Sequence, residues 1–186
     1  MKSSCIHILL VLIFCSSLSL PAQTYRNKEF NNLAGIKASN ISGYGLYYSR
    51  ELPDDFRIQL MGLIYYYQYS KEDRKKEIFN YDIGFEIQRN IYSSENSRTY
   101  ILFGGYYYFD DDTDIKTDEI NKVNNSYNIG TGIGFEFEYK RVVYNIDVGY
   151  KFFEDNIDTF KNGDLSYYEL KRVTKAGAGI GIGFMF

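Results

Sequence analysis

The stretch VVYNIDVGYKFF, from Val142 to Phe153, decides the fold because its side chains alternate in character along the chain. One set is apolar or aromatic: Val142, Tyr144, Ile146, Val148, Tyr150 and Phe152. The residues between them are mostly small or polar, as Asn145, Asp147 and Lys151 illustrate. Successive side chains of a β-strand point to opposite faces of a sheet, so this period of two predicts a strand with one apolar face.

The same period recurs along the chain and predicts eight strands. They span residues 30–38, 41–52, 56–70, 78–91, 99–109, 124–139, 142–153 and 167–186. Short links follow the second, fourth and sixth strands, at residues 53–55, 93–97 and 140–141. Longer polar segments, predicted as loops, follow the third, fifth and seventh, at 71–77, 110–123 and 154–166. This alternation is typical of an up-and-down meander whose two ends face different compartments.

Residues 1–22 form a predicted signal peptide, because a positive charge at Lys2 precedes a short apolar run and then small residues around Pro21. The predicted barrel domain is then 23–186. Cleavage removes Cys5, Cys15 and His7, the only cysteines and histidine of the chain. Disulfides, Cys/His metal sites and serine–histidine catalysis are therefore not expected. The net charge of −3 gives no support to nucleic-acid binding.

Eight antiparallel strands suit a closed barrel, which leaves no unpaired sheet edge. A soluble lipocalin-like barrel would turn its apolar face inward around a ligand, whereas a membrane barrel would turn it outward. The polar face favours the membrane barrel, because a narrow interior is filled by small residues and paired charges. The predicted interior ion-pair network comprises Lys37, Glu51, Arg57, Asp82, Glu86, Glu136, Glu138, Asp147, Lys151, Glu169 and Lys171.

Aromatic residues at the strand ends favour the same choice. Those toward the predicted long loops are Tyr65, Tyr66, Tyr67, Tyr106, Tyr107, Tyr108, Tyr150 and Phe152. Those toward the short turns are Phe135, Phe137, Phe184 and Phe186. Together they match the two aromatic girdles that flank the apolar band of a membrane barrel. Anchoring at the interface accounts for the tyrosine runs more simply than stacking on sugars or aromatic ligands does.

The final stretch AGAGIGIGFMF, from Ala176 to Phe186, has glycine at alternate positions and is long enough to cross a bilayer once. With this ending, the chain resembles the small eight-stranded outer-membrane β-barrel family of Gram-negative bacteria. The resemblance implies that Phe184 and Phe186 form the signal read by the barrel-assembly machinery. It also implies an outer-membrane location, with termini and short turns in the periplasm and long loops outside the cell.

One acidic segment invites a metal hypothesis. Asp110, Asp112 and Asp114 lie at alternate positions in the predicted loop after the fifth strand, and calcium takes several oxygen ligands. The glycine and closing glutamate of an EF-hand are not at their places, so we expect a solvated loop, and no cofactor is predicted.

The predicted function is non-catalytic. Barrel enzymes of this family generally use a histidine base, and residues 23–186 contain none. A structural or interaction protein is expected, in contact with outer-membrane lipid and as an accessory subunit of a larger outer-membrane complex. A narrow ion-leak pore and a soluble lipocalin-like ligand-binding barrel are the alternatives.

Overall fold

The computed structural model describes residues 30–71, 74–114, 120–161 and 164–186. Eight antiparallel strands, each paired with the next, close into one ring as β8 returns to β1. They are β1 (Asn32–Ser39), β2 (Gly43–Glu51), β3 (Phe56–Lys71), β4 (Arg74–Ser93), β5 (Ser97–Asp114), β6 (Ile120–Tyr139), β7 (Val142–Lys161) and β8 (Asp164–Met185). The predicted eight-stranded up-and-down barrel is confirmed. The predicted signal peptide lies outside the described residues.

The short links between β2 and β3, β4 and β5, and β6 and β7 are tight turns at one end of the barrel. Asp54 and Asp55 have φ angles of 61° and 64°, and Lys140 has 58°. Aspartate tolerates this left-handed region because its side chain can bond to the local backbone. We call this end of the barrel the short-turn end and the opposite end the long-strand end.

The three predicted long loops are wrong in extent, because the strands run through most of them. β4, β6 and β7 contain 20 residues each and β8 contains 22, whereas about 9–11 tilted residues cross a bilayer. Backbone pairing continues beyond the bilayer, for example between Asp155 and Lys171. Outside lipid both sheet faces meet water, so the apolar alternation fades from the sequence although the hydrogen-bond ladder does not.

The long-strand end is uneven because β1 and β2 contain only 8 and 9 residues. Register pairs of β1 with β8 stop at Gly179, and those of β2 with β3 stop at Gly62. Beyond these points β3 to β8 continue as a six-stranded open sheet, which we call the protruding sheet. Its edges, within the described residues, are β3 from Leu63 and β8 up to Gly177.

The apolar face of the barrel points outward. Ile146, Val148 and Ile180 are 56%, 58% and 64% exposed, whereas Asn145 and Asp147 between them are 3% and 1% exposed. An apolar exterior of this extent is stable against lipid and not against water. The membrane barrel is therefore correct, and the lipocalin-like alternative is wrong. Across the four described ranges, no helix has the length and apolar character needed to cross a membrane.

Candidate functional site: a filled barrel interior

The interior at the short-turn end is an apolar layer. Leu33, Tyr47, Met61, Val143 and Met185 pack together there, each at most 7% exposed. They come from β1, β2, β3, β7 and β8, so each contributing strand places one inward side chain at the same height. This layer fills the part of the interior that these five strands enclose.

Above the apolar layer, the ammonium of Lys37 is buried between two carboxylates. Its Nζ lies 2.7 Å from Glu86 Oε2 and 2.8 Å from Asp147 Oδ2. Ser42 Oγ also donates to Glu86 Oε2 over 2.6 Å, and Gln88 Nε2 donates to Glu86 Oε1 over 2.6 Å. These hydrogen bonds satisfy the Glu86 carboxylate, which offsets the desolvation cost of burying it.

A second group of charges is centred on Glu136 of β6. Its Oε2 lies 2.6 Å from Arg57 Nη1 and 2.8 Å from Arg98 Nη2. Arg57 also pairs with Glu51, and Arg98 Nη1 donates to Asn90 Oδ1 over 2.7 Å. One carboxylate thus bridges two guanidinium groups that are 2% and 0% exposed.

The turn between β1 and β2 folds into the barrel and covers the charges from above. Ile41 and Ser42 are fully buried, and Ile41 packs against Tyr100 and Leu102 of β5. A Cβ at Gly84 would collide with the backbone oxygen of Ser42, so only glycine lets the turn approach this closely. We call Asn40–Gly43 the plug turn.

Most of the predicted network lies inside the barrel. Lys37, Glu51, Arg57, Glu86, Glu136 and Asp147 form the ion pairs described above. Asp82 is also buried, and its Oδ1 accepts a hydrogen bond from the backbone N–H of Tyr44 over 3.0 Å. Lys151 lies higher on the same inner face, with Nζ 4.7 Å from the ring centre of Phe153.

Glu138 lies on the inward face at the short-turn rim of the barrel, and two other members of the predicted network lie outside the interior. Glu138 is half-buried near the short-turn end, where its N–H donates to Asn96 O over 2.8 Å. Glu169 and Lys171 are exposed on β8 in the protruding sheet, where the ring is no longer closed. Strand parity predicted an inward direction for these two residues, but at that height the sheet encloses no interior.

Sequence reasoning missed Arg98, which is fully buried in the network. The predicted link ends at residue 97 and the predicted fifth strand begins at residue 99, so Arg98 falls between them and belongs to neither. Parity could not correct this, because both faces of β5 are apolar or aromatic from Tyr100 to Phe109.

The aromatic residues form bands on the barrel exterior, with one correction. Phe135, Phe137, Phe184 and Phe186 are 45% to 52% exposed toward the short-turn end. Toward the long-strand end, the ring centre of Tyr107 lies 4.8 Å from that of Tyr127 and 5.8 Å from that of Tyr81. Tyr106 and Tyr108 do not join this band, because they alternate with Tyr107 and lie on the inner face with the buried Gly104.

The acidic segment is part of β5 and not a loop up to Asp114. Side chains on one face of a strand repeat about every 6.6 Å, so Asp110 and Asp112 are spread along β5, which is paired on both sides. Asp112 pairs with Lys76 Nζ at 2.8 Å. Burial raises the pKa of the Asp110 carboxyl, and the negative charge of Asp112 raises it further. Within the described part of the chain, no three acidic, histidine or cysteine side chains are grouped to hold a metal.

The interior is filled by buried ion pairs. Carboxylates and cations are mutually bonded, and the apolar layer and the plug turn fill the interior around them. The interior therefore suits a rigid scaffold better than a path for solutes.

Solved structures with the same architecture are outer-membrane proteins. No protein-family model and no curated protein matches the sequence. A major outer membrane protein from Thermus thermophilus aligns with a TM-score of 0.51 at 9% identity, covering 86% of this chain and 100% of that one. Ail, the attachment invasion locus protein of Yersinia pestis, aligns at 0.40 and 14% identity, covering 84% and 97%. The N-terminal β-barrel domain of Pseudomonas aeruginosa OprF aligns at 0.34 and 19% identity, covering 84% and 96%. The chain has the fold of the small eight-stranded outer-membrane β-barrels.

Proposed function

We propose that this protein is a non-catalytic integral barrel of the outer membrane, whose protruding sheet binds a protein partner such as a larger outer-membrane complex. The observation that carries the proposal is the combination of a filled interior with a sheet whose apolar side chains extend beyond the closed ring. The barrel then anchors the protein in the membrane, and the protruding sheet is the binding surface.

The filled interior favours an anchor over a pore. Arg57, Arg98 and Lys37 are held in ion pairs at 2.6–2.8 Å, and the plug turn covers the Lys37 group. Solute passage would require breaking several buried pairs at once, each of which is costly to separate. The absence of histidine and cysteine from residues 23–186 supports a non-catalytic role.

The protruding sheet has the composition of a recognition surface. On β8, Leu165, Tyr167 and Tyr168 are 58%, 56% and 55% exposed. On the opposite edge, Ile64 and Tyr66 of β3 are 74% and 61% exposed. Exposed aromatic side chains next to unpaired strand edges are a preferred surface for protein association.

Photocrosslinking in native membranes tests the partner. A photoreactive phenylalanine analogue replaces Tyr168 in the protruding sheet, and in the matched control it replaces Tyr144, which is 48% exposed on the lipid-facing band. We expect a discrete protein adduct from position 168 only. Adducts from both positions, or from neither, would contradict a partner bound at the protruding sheet.

The proposed orientation places the long-strand end outside the cell. Residues 23–186 contain no cysteine, so Ser166→Cys and Glu95→Cys each introduce a single thiol into the proposed mature barrel, at exposed sites at its opposite ends. We expect a membrane-impermeant maleimide to label Ser166→Cys on intact cells, and Glu95→Cys only after the outer membrane is opened. The reverse pattern would show an inverted barrel.

A further inference from the structure

An open cavity of about 320 Å³ lies at the long-strand end, where the inner face of the barrel continues into the protruding sheet. Its aromatic lining comes from Tyr44 at the start of β2, Tyr106 and Tyr108 of β5, and Phe153 of β7. Pockets for small molecules in proteins occupy roughly 300–1,000 Å³, so this one suits a small ligand. We call it the upper cavity.

Interface anchoring does not account for the tyrosines of the upper cavity. Tyr106 and Tyr108 lie on the inner face, away from lipid. They also differ from Tyr47 and Tyr100, which fill the interior at 3% and 0% exposure, because they are only half-buried. Their rings therefore line open space that other side chains leave unfilled.

The aromatic wall is held in place from below. The backbone N–H of Tyr44 donates to Asp82 Oδ1 over 3.0 Å, which fixes the start of β2 beside β4. The Tyr44 ring meets the Tyr106 ring edge-on, with centres 6.0 Å apart and planes at 78°. The strand that leaves the plug turn thus supplies one ring of the cavity, while the turn itself closes the interior beneath it.

The polar lining carries both donors and acceptors. Lys151 lies with Nζ over the Phe153 ring, and the carboxylate of Asp155 interacts with this ammonium. Ser126 is 7% exposed and accepts a hydrogen bond from Asn128 Nδ2 over 2.9 Å, so its own hydroxyl proton can be donated. Asn124 is half-buried, and its Oδ1 atom is buried and has no hydrogen-bond partner among the described residues. A buried acceptor of this kind is stabilised by a ligand that donates to it.

We propose that the upper cavity binds a neutral saccharide of one or two rings. The C–H face of a sugar ring stacks on Tyr106 or Tyr108, and its hydroxyls donate to Asn124 Oδ1 and accept from Ser126 or Lys151. One ammonium, of Lys151, and one carboxylate, of Asp155, line the cavity itself. One further charge of each sign lies beside its aromatic wall: Lys175, with Nζ 5.4 Å from the Phe153 ring centre, and Asp82, which accepts the Tyr44 N–H. Because charges of both signs surround the cavity, a neutral ligand fits it better than an ion. The proposal does not depend on the protein partner of the protruding sheet.

Saturation-transfer NMR on the purified protein tests the proposal. The detergent is lauryldimethylamine oxide, since a maltoside detergent would itself present sugar rings to the cavity. The probes are glucose, maltose, cellobiose and N,N′-diacetylchitobiose, and lysine and glutamate are included as charged ligands of similar size. We expect saturation transfer to at least one sugar and to neither amino acid.

Adjacent tyrosines on opposite faces of β5 supply the matched variants. Tyr108→Ala removes a ring from the upper cavity, whereas Tyr107→Ala removes one from the exterior band. We expect sugar affinity to fall by about tenfold or more in Tyr108→Ala and to persist in Tyr107→Ala. Asn124→Leu is a second cavity variant, and the heat-dependent gel shift shows whether each variant has folded.

Three results would overturn the proposal. They are transfer to none of the four sugars, equal sugar binding by folded Tyr107→Ala and Tyr108→Ala, and binding of a charged amino acid in place of sugars. Photocrosslinking at position 168 reports on the partner of the protruding sheet independently of all three.

Discussion

At the residue scale, adjacent side chains in one strand face different solvents. Asn145 and Ile146 are neighbours in β7, yet one is 3% exposed inside the barrel and the other is 56% exposed toward lipid. Asn145 also lies against Gly181, where an added Cβ would come within 2.7 Å of Asn145 Oδ1. The effect of a substitution is thus decided by its face and height on the barrel.

Arginine on the lipid face distinguishes the spanning band from the protruding sheet. Ile146→Arg should reduce the free energy of unfolding by about 2–4 kcal/mol, because it moves a charge into hydrocarbon. Leu165→Arg replaces a side chain that is 58% exposed in the protruding sheet, and it should change stability by less than about 0.5 kcal/mol. Urea unfolding in lipid vesicles measures both, and equal losses would contradict the assigned height of the lipid band.

The bridging carboxylate of Glu136 gives a second prediction. Glu136→Gln leaves Arg57 and Arg98 buried without their shared anion, which should cost about 3–5 kcal/mol. The matched control is Glu154→Gln, which disrupts an exposed pair with Arg172 and should cost only about 0.2–1 kcal/mol. Unfolding midpoints of the two variants in the same vesicles give the comparison. A Glu136→Gln protein as stable as the control would show that the network contributes little to stability.

At the element scale, the sequence predicts a strand well where one face meets lipid and poorly beyond that height. In Val142–Phe153 the alternation follows directly from the two environments, and the turns at 53–55 and 140–141 stand out by their short polar sequences. In 154–161 and 164–166 both faces meet water, so a paired strand and a polar loop have the same composition.

The candidate site could be predicted from the sequence only where apolar and polar residues alternate along a strand. This alternation placed Arg57, Glu86 and Glu136 inside, but it could not find Arg98 or the plug turn. The position of the plug turn depends on how closely glycines such as Gly84 let another backbone approach. That is a property of the assembled ring and leaves no local pattern in the sequence.

The upper β7–β8 hairpin should be dispensable for folding. The β7–β8 pairs in this region form within the hairpin itself, and β8 has no β1 partner above Gly179 within the described residues. Replacing residues 157–169 by an Asn-Gly turn, which suits a two-residue hairpin, should leave the barrel closed. The measurement is the heat-dependent gel shift after refolding. Loss of the shift would show that the protruding sheet is needed to close the ring.

At the scale of the whole molecule, the barrel is a solid cylinder with an open extension. Apolar residues, ion pairs and the plug turn together occupy its interior. An eight-stranded barrel has an interior just wide enough to be filled by side chains, and here it is filled. The extension above it is the part of the molecule with room for other molecules.

Electrical recording tests the closure of the interior. In planar bilayers the purified protein should show no stepwise conductance. Replacing both Ile41 and Ser42 with glycine removes the packing on Tyr100 and the hydrogen bond to Glu86, so ion leakage should increase. The matched control is glycine at both Asp54 and Asp55, in the opposite turn, which should stay silent. Stepwise conductance of the unaltered protein would contradict a closed interior.

The short length of β1 also determines how the ring is completed during folding. Every other neighbour pair is a hairpin formed from adjacent sequence, but β1 and β8 are joined by only seven register pairs, between Leu33–Ser39 and Gly179–Met185. Contacts of such high sequence separation carry the greatest loop-closure entropy and form slowly. The β1–β8 pairs are therefore the last to form when the ring closes, and they are the first to open when the folded barrel fluctuates.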